Sequence, residues 1–98
     1  MLIMEIMRTF TPNGGDVVLR RVPTTVNDIA DARAQCRRRL EAEIEAEGNP
    51  IWPTVGGVRI VEVDGREIAT YGYLQLVGDR NREHLEARAL ERANAKRT

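Results

Sequence analysis

Apolar residues alternate with polar ones, or run in short blocks, over four stretches of the chain, and recur with a helical period over two others. Leu2 to Phe10 and Val17 to Val22 are apolar-rich and of strand length. They are separated by the dense turn signal Thr11 to Asp16, with Pro23 after the second. Together they predict a hairpin with a loose six-residue loop.

From Thr24 the period changes. No proline or glycine intervenes until Gly48, and Val26, Ile29, Ala32, Cys36, Leu40 and Ile44 fall within about 120° of one another at 100° per residue. Thr25 with Asp28 resembles a capping box, and Gly48 suits the position just past a helix end. The predicted helix is about 22 residues, roughly 33 Å long.

An irregular connection, Asn49 to Gly57, places prolines at 50 and 53 around Ile51 and Trp52. Two further strands flank Asp64 and Gly65, the strongest hairpin signal in the chain. A two-residue turn would oppose Glu62 and Glu67, so a three-residue loop, Val63 to Gly65 with Gly65 left-handed, is the better register. It pairs Glu62 with Arg66 and Ile60 with Ile68. One face then carries Val58, Ile60, Ile68, Leu74 and Leu76, and the other Arg59, Val61, Glu67, Ala69, Tyr71, Tyr73 and Gln75. Gly78 and Asp79 are expected to end that strand and cap a last helix, Arg80 to about Ala95, whose apolar side (Leu85, Ala89, Ala93) is thin.

The order is ββαββα. It predicts a two-layer α+β sandwich, a four-stranded, mostly antiparallel sheet with two helices on one face. Ninety-eight residues, 42% hydrophobic, fit one domain with a modest core and frayed last residues.

Composition narrows the chemistry. Formal net charge is zero, which gives no default attraction to nucleic acid or anionic membrane. No stretch approaches the roughly 20 apolar residues that cross a bilayer, and Glu5 interrupts the N-terminal apolar run, so neither a membrane span nor a signal peptide is expected. One cysteine forms no intrachain disulfide, and a cytoplasmic protein is the expectation by elimination. Fourteen of the fifteen basic residues are arginine, the bias of a GC-rich coding genome, which fits a small accessory protein of such a bacterium or its phage.

Catalytic and metal-binding constellations are not expected. His84 stands on the last helix without a supporting acid or nucleophile in pattern, and Cys36 sits in the apolar stripe, where cysteine acts as a small apolar group. One histidine and one cysteine make no zinc site, and the glycine pairs at 14–15 and 56–57 lack the lysine and the strand-to-helix setting of a phosphate loop. No cofactor, metal or catalytic residue is therefore predicted, and the chain reads as a non-enzymatic binding or regulatory module.

Two surfaces are candidates. The first helix is basic at Arg37, Arg38 and Arg39, then acidic at Glu41, Glu43, Glu45 and Glu47. Four carboxylates near a helix C-terminus oppose its dipole, a strain that an antiparallel copy of the same helix would relieve. Trp52 is either a lid over the core edge, the commoner arrangement, or an exposed anchor. These residues make protein contacts, a homodimer among them, the leading expectation. The alternative is nucleic-acid binding: from Arg8 to Arg39 seven arginines face three aspartates, Arg20 and Arg21 included, and an open sheet face with Arg59, Tyr71, Tyr73 and Gln75 would stack bases.

Overall fold

A computed structural model describes residues 1–9 and 15–96. The elements are β1 (Leu2–Arg8), β2 (Val17–Thr24), α1 (Ile29–Ala46), β3 (Gly57–Glu62), β4 (Glu67–Gly72) and α2 (Tyr73–Ala95). The four strands form one antiparallel sheet in the order β2-β1-β3-β4, with both helices on the same side, as the patterning predicts. Of the predicted first strand and loop, Phe10 and residues 11–14 lie outside those described.

Strand β2 runs two residues further than Pro23 suggests. Proline donates no ladder hydrogen bond, and β2 is an edge strand, where that loss is tolerated.

The ends of α1 are set by local chemistry. Its cap is Asp28, whose carboxylate accepts the Asp31 N–H at 2.7 Å, so the capping motif lies three residues past Thr25 and the helix has 18 residues, not 22. Asp31 in turn accepts the Asn27 N–H at 2.9 Å. At the other end the Gly48 N–H reaches the Glu45 carbonyl and the Asn49 N–H the Ile44 carbonyl, a Schellman closure. Gly48 and Asn49 both hold positive φ, +88° and +54°. Glycine carries that conformation without a Cβ clash and asparagine with little.

The core lies between sheet and helices. Met4, Ile6, Val58, Ile60, Ala69 and Tyr71 from the strands meet Ala32, Cys36, Leu40 and Ile44 of α1 and Leu76 of α2. Of the predicted stripe, Ile29 is exposed, because the helix starts there and its first turn overhangs the sheet.

Two expectations about the second hairpin are corrected. The three-residue loop is present, with the Glu62 N–H on the Arg66 carbonyl at 2.8 Å and Gly65 at φ +92°. Ile60, however, pairs with Ala69, because the register shifts between Val61↔Glu67 and Ile60↔Ala69 and leaves Ile68 as an extra residue. A bulge of one residue inverts every later side chain. Ala69 and Tyr71 therefore join the buried face with Val58 and Ile60 rather than the open one.

The strand also ends six residues early. Gly72 starts a 23-residue helix at Tyr73, which absorbs Gly78 and Asp79 into its interior. In a strand Leu74 and Leu76 would share a face; on a helix they point about 200° apart. Leu76 is fully buried and Leu74 exposed.

Candidate protein-contact surfaces

The charge-split face of α1 is answered within the chain. Arg37 forms a forked pair with Glu83 of α2, at 2.6 and 2.8 Å, and also reaches Glu41 at 3.3 Å. Arg80 of α2 bonds Glu41 at 3.0 Å. Glu43 pairs with Arg39 at 3.0 Å and with Arg20 from β2. Glu47 accepts the Thr54 N–H through both carboxylate oxygens, at 2.9 and 3.0 Å. Three of the four carboxylates that oppose the dipole thus have a partner, which removes the reason for an antiparallel α1 pair. Arg38 and Glu45 remain exposed on the outer side of the helix.

These contacts shift titration in the expected directions. Hydrogen bonding to Thr54 holds the Glu47 carboxyl below its ordinary value, and Arg37 does the same for Glu83. Reciprocally, Glu83 holds the Arg37 guanidinium in its charged form.

The proposed nucleic-acid face does not assemble. Arg20 points to the helix side, where Glu43 meets it. Arg21 and Arg59 stand on the opposite face and flank one carboxylate, Glu5, at 2.9 and 2.6 Å. Tyr71 is only 5% exposed beneath the helices, and Tyr73 and Gln75 belong to α2. Five of the six residues are spread over three surfaces and Tyr71 is in the core, since the bulge at Ile68 and the early helix start separate what strict alternation would have aligned.

Glu5 is a feature the sequence reading missed. It is 6% exposed, a buried carboxylate on the sheet's second face, with Arg21 and Arg59 directly opposite it on both neighbouring strands. Burial raises its pKa, but hydrogen bonds from Arg59 and Arg21 outweigh that and hold it below 4.5. The signal was present as a lone acid amid Leu2, Ile3, Met4, Ile6 and Met7, yet its partners are set only by strand pairing.

Tyr71 donates its hydroxyl to Asp79 of α2. Burial, then that bond, pushes the phenol up to about 12. Cys36 is fully buried, and loss of solvent lifts its thiol to about 11. His84 lies exposed on α2. Among the described residues no group of three or more His, Cys, Asp or Glu side chains is placed to share a metal ion, and no helix is long and apolar enough to cross a membrane.

What stands out is apolar surface. Trp52 is 71% exposed and so is no lid. Its loop is firmly held: Glu47 clamps Thr54, Pro53 and Val55 are buried, and the Gly56 N–H bonds the Met7 carbonyl at 3.0 Å. The start of α2 is stitched to the same loop. The Tyr73 N–H, one of the groups a helix leaves open, donates to Gly56, and the Tyr73 hydroxyl donates to the Ile51 carbonyl at 3.1 Å. Leu74, 69% exposed, follows Tyr73, and Val77 lies one turn on. Ile51, Trp52, Leu74 and Val77 are all exposed around this junction. Shallow clefts open beside it, one against Arg8, Trp52, Pro53 and Thr54 and one against Thr9, Gly56, Gly72 and Leu74.

No protein-family model matches the chain, and no curated protein and no solved structure matches it.

Proposed function

We propose that the chain is a non-catalytic protein-binding module that holds its partner through the apolar junction of the Ile51–Trp52 loop and the first turns of α2. The observation that carries this reading is Trp52, a large exposed aromatic on a loop that is clamped rather than loose. Ordering entropy is largely settled before binding, and tryptophan in such a position is a frequent binding hot spot. Prolines at 50 and 53 restrict the backbone further. The titratable groups support the non-catalytic part: the one thiol is buried and hard to ionise, and the one histidine stands exposed on α2. Nucleic acid draws no comparable support, because Arg20, Arg21, Arg37, Arg39 and Arg59 each face a carboxylate.

Trp52 is the only tryptophan, so it reports on its own site. Partners captured from a lysate of the source cells by the wild type should be lost with Trp52→Ala combined with Leu74→Ser. Each purified partner should shift the Trp52 emission to the blue. Identical capture by both proteins with unchanged emission would overturn the reading.

A further inference from the structure

Strand β2 forms one edge of the sheet, and the bonds on the far side of β1 fix which of its main-chain groups face outward. The Met1 and Met7 carbonyls accept from Val63 and Gly56, at 3.2 and 3.0 Å, so the odd residues of β1 turn their main chain toward β3. Leu2, Met4 and Ile6 therefore turn theirs toward β2, where they pair with Thr24, Val22 and Arg20. Arg21 and Pro23 alternate with these and point outward. Among the described residues the Arg21 N–H and C=O and the Pro23 C=O meet no other main-chain group. Pro23 stands where its missing donor costs the sheet no bond.

Positive charge gathers at the same edge. Arg20 and Arg39 share the Glu43 carboxylate on the helix side, and Arg21 and Arg59 share Glu5 on the other face. Each face of β2 thus holds two guanidiniums for one carboxylate. Arg20 and Arg21 are the more exposed members, with side chains 54% and 64% accessible. Of the other acids nearby, Glu47 is taken up by the Thr54 N–H, and Asp16 precedes the strand. On the helix side a shallow cleft of about 390 Å³ lies against Met4, Val22 and Ala42.

We infer that β2 accepts an extended acidic peptide as an added antiparallel strand. A peptide main chain offers the alternating donors and acceptors that the outward groups need, and a nucleic-acid backbone does not. The peptide residue opposite Arg21 exchanges two N–H···O bonds with it, and the one opposite Pro23 donates a third. Consecutive side chains fall on opposite faces, so an acid opposite Arg21 meets Arg21 and Arg59, and an acid opposite Arg20 meets Arg20 and Arg39. The residue opposite Val22 lies over the cleft and is apolar. From N- to C-terminus the peptide therefore reads apolar, acid, acid. A second copy of β2 would bring its own Arg20 and Arg21 with only Asp16, which adds to the charge excess. The other sheet edge, β4, starts at Glu67 and has no basic residue, so it repels such a strand. Trp52 and Leu74 take no part in this seat.

The seat is short, from Arg20 to Pro23, because the ladder is irregular next to Arg20, so a titration to about 1 mM chain is needed. The probe is a fluorescein-labelled, end-capped Thr-Val-Glu-Glu-Thr-Val-Thr, read by anisotropy with the full chain. Methylating the amide nitrogen of its first glutamate, the donor to Arg21, should weaken binding about tenfold, and methylating the second, which points away, less than about threefold. Bound peptide should slow amide exchange at Arg21 but not at Arg20, already bonded to Ile6. Arg20→Glu with Arg21→Glu should lose this peptide and bind its Lys-Lys counterpart instead. Trp52→Ala with Leu74→Ser should bind the peptide as the wild type does. The inference is overturned by no binding up to about 1 mM, by equal losses from the two methylations, or by an unchanged preference after the arginine reversal. Tighter binding of a labelled oligothymidylate, or loss of the peptide with the Trp52 and Leu74 variant, would overturn it as well.

Discussion

Helices α1 and α2 are made from similar residues and do different things. α1 has 18 residues and buries Ala32, Cys36, Leu40 and Ile44 in a continuous line along β3 and β4. α2 has 23 and buries only Leu76, held otherwise by Tyr71 on Asp79 and by Arg37 and Glu41 on Glu83 and Arg80. Length does not place a helix; an apolar stripe at the right spacing does, because burial supplies most of a helix's stability in a protein. Where that stripe is absent the helix becomes surface, and Leu85 and Leu90 stand exposed on it.

Substitutions along the two helices test this contrast, each read by urea unfolding. Leu40→Ala should cost most, about 2.5–5 kcal/mol, since a fully buried leucine leaves a cavity. A loss under 1 kcal/mol would mean that α1 is not the main cover of the sheet. Leu76→Ala should cost about 2–4 kcal/mol and, unlike Leu40→Ala, should speed amide exchange throughout α2 before α1 is affected.

Tyr71→Phe should cost about 0.5–1.5 kcal/mol through the lost bond to Asp79. It also carries a pH signature. A phenol raised from 10 to about 12 on folding contributes stability that is complete below pH 10 and is lost as pH rises through 12. Cys36, raised from 9 to about 11, adds its own loss in an overlapping window. The variant should therefore show a shallower alkaline decline, with the Cys36 part remaining; an unchanged slope would place Tyr71 in water.

Gly78→Ala should stabilise by about 0.5–1 kcal/mol, because glycine inside a helix is costly and nothing lies within 4 Å of the added Cβ. Destabilisation would restore the reading of Gly78 as a strand end. Leu90→Ala should change stability least, by under about 0.5 kcal/mol, because Leu90 is 63% exposed.

Much of this was legible in advance. Gly48 and Gly65 mark places where the backbone needs positive φ, and the α1 stripe from Ala32 to Ile44 follows from spacing alone. The candidate site was less legible. Trp52 was visible as a residue of interest, but its exposure depends on Glu47 holding Thr54 and on Tyr73 reaching Ile51, contacts between segments 7 and 22 residues apart. The span Tyr73 to Leu76 is too short for its apolar spacing to separate strand from helix.

The order of elements, the α+β class, the start of the Schellman turn and the three-residue loop at Gly65 were determined by local sequence, because capping, turn geometry and periodicity act over a few residues. Tertiary structure decided the rest. It decided the bulge at Ile68, which turns Tyr71 inward, and the early start of α2, where the Tyr73 N–H finds Gly56. It also decided the pairing of Glu5 and of α1's carboxylates with arginines from other elements. A one-residue shift in pairing inverts a strand's faces, and an ion pair forms only where the fold brings two side chains together, so neither can be read from neighbours along the chain.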